Sequence, residues 1–272
     1  MKKFSLEKEL EIIRKYRGGM TQKQIADEYE TFNTSIRRVL IRNGIVPKGN
    51  DKQHRLCKHN PFRRNDEYSD YFFGMLITDG NIERGRHRIN LSLNEKDGYL
   101  IEEFVKWASP KSKITKIHQK LNNSYMWSAT ITNEEAYEWL TRRGNFINKS
   151  YEAKLYIPLN YHILRGILDG DGGVVNTNNK STLRLFICGK SYPFIQQIEK
   201  FLIKEGYNPK VNYQRGLWYV NLYRYKEVLK LGKQLYKNAH IFCRRKYEKW
   251  LAFYENRKAN GVNSGEETAI QS

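Results

Sequence analysis

Cysteine is scarce in this 272-residue chain, and acidic side chains are few beside basic ones. Cys57, Cys188 and Cys243 stand far apart, odd in number and with no Cys-x-x-Cys pair. That pattern excludes a disulfide framework and predicts three unpaired thiols in a reducing compartment. No apolar run approaches the roughly 18 residues that span a bilayer, and the opening MKKFSLEKEL lacks the apolar stretch of a signal peptide. The expectation is therefore a cytoplasmic protein with no membrane segment. Asp and Glu number 29 against 48 Lys and Arg, a formal charge of +19. Such an excess predicts a polyanionic partner, nucleic acid ahead of a membrane surface, because neutralised phosphates release counterions. The 39% apolar content, with 13% aromatic residues, supports a substantial core.

The basic excess is concentrated at the N-terminus, where residues 1–65 hold 16 Lys and Arg and 7 Asp and Glu. Leu6, Leu10 and Ile13 recur at helical spacing before Gly18-Gly19. Thr21 and Gln24 occupy capping-box positions ahead of Ile25 and Tyr29. Ile36, Val39 and Leu40 share a face of a third helix that Gly44 ends. Three short helices with a tight second turn predict a helix-turn-helix over 1–47. Asn33, Thr34, Ser35, Arg37 and Arg38 fall near the start of its reading helix, where side chains reach base edges. Residues 48–66 read as a basic extended linker whose Lys52, Arg55, Lys58, Arg63 and Arg64 suit phosphates.

Beyond residue 66 the chain repeats itself. "YFFGMLITDG" (71–80) matches "ILRGILDGDG" (163–172) position by position, with Asp79 opposite Asp171 at an offset of 92. "YMWSATIT" (125–132) falls opposite "LWYVNLYR" (217–224) at the same offset. Between them "RINLSLN" (88–94) and "TLRLFIC" (182–188) alternate as half-buried strands. Helix-like segments follow at 96–107 and 191–205. The fold class expected is α+β: a pseudo-twofold duplication, 67–158 and 159–255, of an αββαββα unit with two antiparallel sheets. A small all-α domain precedes it, and a polar tail, 256–272, is expected to be disordered.

"FFGMLITDG" (72–80) and "LRGILDGDG" (164–172) resemble the signature helices of LAGLIDADG homing endonucleases in their single-chain, two-motif form. The second copy fits closely; the first keeps the central glycine and the terminal Asp-Gly. The resemblance spans about residues 66–254. Glycines at 74 and 166 let two helices cross closely, with Phe72, Met75, Leu76, Leu164, Ile167 and Leu168 packed around them. Asp79 and Asp171 then meet at negative helix ends and repel, unless a hard cation such as Mg²⁺ lies between them.

The resemblance implies a monomeric, site-specific endonuclease of intron mobility that hydrolyses double-stranded DNA at a long asymmetric target and leaves 3′ overhangs. It implies two or three Mg²⁺ ions shared by Asp79 and Asp171, with Gly80 and Gly172 beside them in the metal set and Mn²⁺ or Ca²⁺ as substitutes. It also implies one catalytic basic residue per half: Lys149, and Lys246 with Arg245 as its rival. The sheets would form a saddle on DNA, with Ile89, Leu91, Leu93, Leu183, Leu185 and Ile187 inward. Facing DNA would be Arg88, Asn90, Ser92, Asn94, Thr182, Arg184, Lys210, Asn212, Gln214, Tyr219, Asn221 and Tyr223. Strand 112–120 does not assign to a face. Alternatives are a non-catalytic transcription regulator or an RNA-binding intron maturase of the same fold; retention of both aspartates favours catalysis. An intein is disfavoured, since no Cys or Ser nucleophile opens the chain and no His-Asn closes it.

Overall fold

The computed structural model describes residues 4–45, 57, 59–119, 123–177 and 182–259. The chain divides into two compact units, Met1–Gln53 and His54–Ser272. In the first, α1 (Leu6–Arg17), α2 (Gln22–Glu28) and α3 (Asn33–Arg42) enclose Ile12, Ile25, Ile36, Val39 and Leu40. The capping box forms: Gln24 N donates to Thr21 Oγ1 at 3.2 Å, and Thr21 N donates to Gln24 Oε1 at 2.9 Å. Two backbone donors at the start of α2 are thereby satisfied. The apolar stripe assigned to α1 needs correction, because Leu6 and Leu10 are 74% and 49% exposed. The helix instead turns Glu9, Ile12 and Ile13 inward, where Glu9 accepts from Arg42 and, at 3.1 Å, from Asn43 Nδ2.

The second unit begins earlier than a free linker would allow. Cys57 N donates to Thr132 O at 3.1 Å, and Phe62 is fully buried, stacked on Trp139 with centroids 5.0 Å apart. Residues 57 and 59–65 are thus part of the folded unit rather than an extended tether. Then come α4 (Glu67–Thr78), β1 (Gly80–Glu83), β2 (Arg88–Asn94), α5 (Gly98–Ala108), β3 (Ile114–Gln119), β4 (Ser124–Thr132) and α6 (Glu134–Thr141). A short connection holds β5 (Gly144–Asn145), α7 (Lys149–Glu152) and β6 (Lys154–Leu155). The second half runs α8 (Tyr161–Asp171), β7 (Gly172–Thr177), β8 (Thr182–Gly189), α9 (Tyr192–Lys204), β9 (Lys210–Gln214), β10 (Leu217–Leu222), α10 (Tyr225–Tyr236) and α11 (Arg244–Ala259). The expected tail from 256 is therefore helical as far as Ala259.

Each half holds a four-stranded antiparallel sheet, ordered β1-β2-β4-β3 and β7-β8-β10-β9. One apolar core runs through both halves, from Phe62 to Phe253. The offset of 92 holds for the motif helices but not for the sheets. Gly80 pairs with Leu91, which pairs with Ala129; Gly172 pairs with Ile187, which pairs with Val220. Equivalent positions are thus 96 apart in the second strands and 91 apart in the fourth. A one-residue slip reverses strand faces, so Ala129 matches buried Val220 and not its neighbour Asn221.

The two halves join where α4 crosses α8. A Cβ on Gly74 would lie 2.3 Å from Ile163 O, and one on Gly166 would lie 2.1 Å from Tyr71 O. Only glycine permits this backbone-to-backbone approach. Gly166→Ala is expected to lower the unfolding free energy by about 3 kcal/mol, since rigid helix backbone must move to admit the methyl. Urea unfolding of the full chain measures this, and a loss below about 1 kcal/mol would contradict the crossing.

Candidate active site at the helix crossing

Asp79 caps the C-terminus of α4, and Asp171 is the last residue of α8. Gly170 fits against the first helix end: a Cβ there would lie 2.0 Å from Thr78 Oγ1 and 3.0 Å from Asp79 Oδ2. The Asp79 carboxylate thus sits beside the residue that precedes Asp171, and both motif ends share one place. Both aspartate side chains remain open to solvent while protein surrounds their other sides. Partial desolvation, and then the charge of Asp171, push the Asp79 carboxyl up to about 6. Desolvation also raises Asp171, opposed by Lys149 and Lys246. The helix C-termini add negative potential of their own.

Two accessible carboxylates held together against repulsion are hard oxygen donors that fit a divalent cation such as Mg²⁺. Among the described residues no group of three His, Cys, Asp or Glu completes a protein cage. An ion held by Asp79 and Asp171 would therefore keep water or take substrate and backbone oxygens, as Mg²⁺ commonly does. Gly80 and Gly172 begin β1 and β7 directly after the aspartates. A Cβ on either would strike the motif helix, 2.6 Å from Leu76 O or 2.7 Å from Leu168 O, so each lets the chain turn tightly out of its helix.

Each half brings a lysine to its own motif helix. Lys149 Nζ donates to Thr78 O and, at 3.3 Å, to Leu76 O. Lys246 Nζ donates to Leu168 O and Asp169 O, both at 2.7 Å. These bonds fall on the last-turn carbonyls of each motif helix, where helical partners run out. Burial lowers the Lys149 amine to about 8 and lowers Lys246 as well. Arg245 points elsewhere, clamping the Asp97 carboxylate at 2.8 and 3.0 Å. A cavity of about 190 Å³ opens beside Asp79, lined by Ser92, Asn94, Asp97, Asp169 and Arg245 among others.

The sheet residues expected to face a ligand share their faces but are already bonded together. Asn90 Nδ2 donates to Ser128 Oγ and Thr130 Oγ1 at 2.9 Å, and Ser92 Oγ donates to Ser128 Oγ at 2.8 Å. Arg184 Nε donates to Asn221 Oδ1 at 2.8 Å, and Asn221 Nδ2 donates to Asn212 Oδ1 at 2.7 Å. Asn221 is consequently fully buried, a correction to its expected exposure. Lys210, Asn212, Gln214 and Tyr223 are exposed, as is Asn94; Tyr219 is half-buried. Arg88 lies 3.8 Å from Glu83, Arg63 lies 3.3 Å from Glu135, and Arg64 lies over Trp107. Lys52, Arg55, Lys58 and the Thr182 side chain lie outside the described residues. In the first unit Asn33, Thr34, Arg37 and Arg38 are exposed on α3, and Ser35 is half-buried.

No protein-family model and no curated protein matches the chain. Solved structures do. The homing endonuclease I-WcaI, solved bound to its DNA recognition sequence, aligns over 75% of this chain and 95% of its own at 14% identity and a TM-score of 0.51. This is the LAGLIDADG homing-endonuclease fold. I-SmaMI, bound to uncleaved DNA with calcium ions, aligns over 76% of this chain and 95% of its own at 12% identity, with a TM-score of 0.48. Full-length DUF199/WhiA from Thermatoga maritima aligns over 72% of this chain and 65% of its own at 14% identity, with a TM-score of 0.46.

Within this LAGLIDADG fold three residues went unmarked by sequence reasoning. Asp169, two residues before Asp171, is buried and accepts from Tyr71 OH at 2.8 Å and Cys243 N at 2.7 Å. Its place in "DGD" was visible, but its partners come from distant segments. Ser128 and Thr130 alternate on β4 and were readable as a polar face. All three cysteines are free, as their spacing predicted. Among the described residues no helix is long and apolar enough to cross a membrane.

The raised Asp79 carboxyl makes a pH prediction. Between about pH 4 and 6 the folded chain holds a proton at Asp79 that the unfolded chain has lost, so this group withdraws stability as pH rises through that window. Asp79→Asn should raise the metal-free unfolding midpoint by roughly 1–3 °C at pH 8 and change it little at pH 4. Scanning calorimetry at both pH values measures the difference. Equal shifts at the two, or none at pH 8, would contradict the assigned repulsion.

Proposed function

We propose that the protein is a site-specific double-strand DNA endonuclease of the homing type. The observation that carries this reading is the convergence of Asp79 and Asp171, one from each half, with a lysine at each helix end. A binding protein has no need of two mutually repelling carboxylates at this place, so the cost of assembling them favours catalysis over a purely regulatory or RNA-binding role. Divalent ions, Mg²⁺ first, would supply activated water and offset charge at the leaving oxygen. Asp79 and Asp171 would hold them. Lys149 and Lys246, bonded to the last carbonyls of the motif helices, would donate hydrogen bonds to water or phosphate oxygens beside the carboxylates.

The polar sheet faces supply donors and acceptors suited to base edges in the major groove. Arg184 and Asn212 would enter such contacts already oriented by the buried Asn221 beneath them. The first unit would act as a helix-turn-helix that presents the exposed start of α3 to a neighbouring stretch of groove, and its basic excess suits phosphates. The two halves within one chain suit a monomer acting on a long asymmetric site, cutting once per strand to leave 3′ overhangs, a break of the kind used in intron mobility.

Cleavage of a plasmid library with Mg²⁺, followed by sequencing of the ends, tests the reading and yields the target. Asp79→Asn and Asp171→Asn are each expected to slow cleavage at least about a hundredfold, the scale of losing a metal-held catalytic step. Arg184→Ala should weaken binding of the recovered duplex about tenfold, the lower range for a base-reading side chain. Undiminished cutting by either aspartate variant would remove the catalytic assignment.

A further inference from the structure

Each lysine of the site lies on or directly beside a segment that the opposite half helps to hold. Lys149 lies on the connection 144–155, where α7 is one turn long with no side-chain cap and Asn148 sits at φ 47°. Ile147 and Tyr151 beside Lys149 are 63% and 60% exposed, while Phe146, Ala153 and Leu155 at the ends of this arm are buried. Phe146 packs on Phe73 of the first half with centroids 6.0 Å apart. The second half adds hydrogen bonds: Ser191 Oγ donates to Ala153 O at 2.7 Å, and Gln197 pairs with both backbone groups of Leu155 at 2.8 and 2.7 Å.

Lys246 is the third residue of α11, just beyond the matching connection, 237–243, between α10 and α11. Its own half holds that connection through Arg165, which donates to Ile241 O at 2.9 Å, and Asp169, which accepts from Cys243 N at 2.7 Å. The first half adds further fixed points. Tyr99 OH donates to Phe242 O at 3.1 Å and accepts from Arg244 N at 2.6 Å. Asp97 takes the bidentate bond from Arg245, the residue next to Lys246. Ser191 and Asp97 occupy the same place in the duplicated fold, the N-caps of α9 and α5; Tyr99 lies in the first turn of α5 and Gln197 in the second turn of α9.

We infer that Asp97 and Tyr99 are positioning residues for Lys246, and that Ser191 and Gln197 are positioning residues for Lys149. Each half therefore contributes to the geometry of the other half's lysine, beside the contacts that lysine's own half makes. The mechanical claim stands on these contacts; its effect on strand cleavage rests on the nuclease reading. A misplacement of about 1 Å at a reacting centre slows reaction steeply, so loosening one arm should slow one strand and spare the other.

The test uses the full chain with Tyr99→Phe and Ser191→Ala, two hydroxyl losses remote from the aspartates. Hydrogen exchange is the first readout. Tyr99→Phe should speed exchange in 240–250 about fivefold, the scale of one lost hydrogen bond, and leave 144–155 unchanged. Ser191→Ala should do the reverse. The second readout is strand-resolved nicking of the duplex recovered from the parent. Tyr99→Phe should slow the strand that Lys246→Met slows, and Ser191→Ala the strand that Lys149→Met slows. Exchange that quickens in both arms alike or in neither, or an unchanged strand ratio beside a loosened arm, would overturn the inference. A parent that cuts no duplex would sink the nuclease reading, while the exchange result still decides the positioning claim.

Discussion

There is no room for a methyl group between α4 and α8. Where Gly74 and Gly166 meet, a Cβ on either would lie little more than 2 Å from carbonyl oxygens of the facing helix. That close crossing fixes everything downstream. It brings both helix C-termini to one place and sets Asp79 beside Gly170. The strand that leaves each helix then starts from a shared origin, so the two sheets follow from one contact. Buried aromatic and aliphatic side chains, Phe72, Met75, Leu164 and Ile167 among them, surround the crossing and make it costly to open.

Electrostatics at the crossing runs against folding and is contained rather than removed. Two carboxylates and two negative helix ends converge, and Asp79, desolvated first and then facing the charge of Asp171, holds its proton more tightly. Lys149 and Lys246 offset part of the charge, but they are spent first on helix carbonyls. Farther along the crossing the opposite solution applies. Arg165, fully buried, donates to Ile241 O and Leu235 O at 2.9 and 2.7 Å and is paired with Glu67. A paired, satisfied charge there stabilises the interface between halves; an unsatisfied pair at Asp79 and Asp171 leaves a demand for a cation. The contrast within one pair of helices argues that the second arrangement is functional.

Much of this was legible in the sequence, because duplication and alternation are local signals. The motif helices, the strand faces of β2 and β8, and the capping box at Thr21 all follow from spacing alone. What could not be read depends on contacts between distant segments. Leu6 and Leu10 satisfy helical periodicity, yet α1 turns a buried glutamate inward because Arg42 and Asn43 wait for it on α3. The constant offset of 92 fails in the sheets because hairpin and loop lengths differ between halves, which only the strand register reveals. Asn221 was correctly assigned to a polar face, but Arg184 and Asn212 cover it. Arg245 and Lys246 were indistinguishable as neighbours until Asp97, 148 residues away, claimed the arginine.

The central claim is that Asp79 and Asp171 act as one divalent-ion site. Titration of the full chain with Mn²⁺, followed by electron paramagnetic resonance, addresses it without requiring a target sequence. The account predicts bound Mn²⁺ in the parent, and an affinity at least about tenfold weaker in Asp79→Asn and in Asp171→Asn, the usual scale for losing one ligand of a shared site. Undiminished Mn²⁺ binding in either variant would contradict it, because the two carboxylates would then not be holding the same ion.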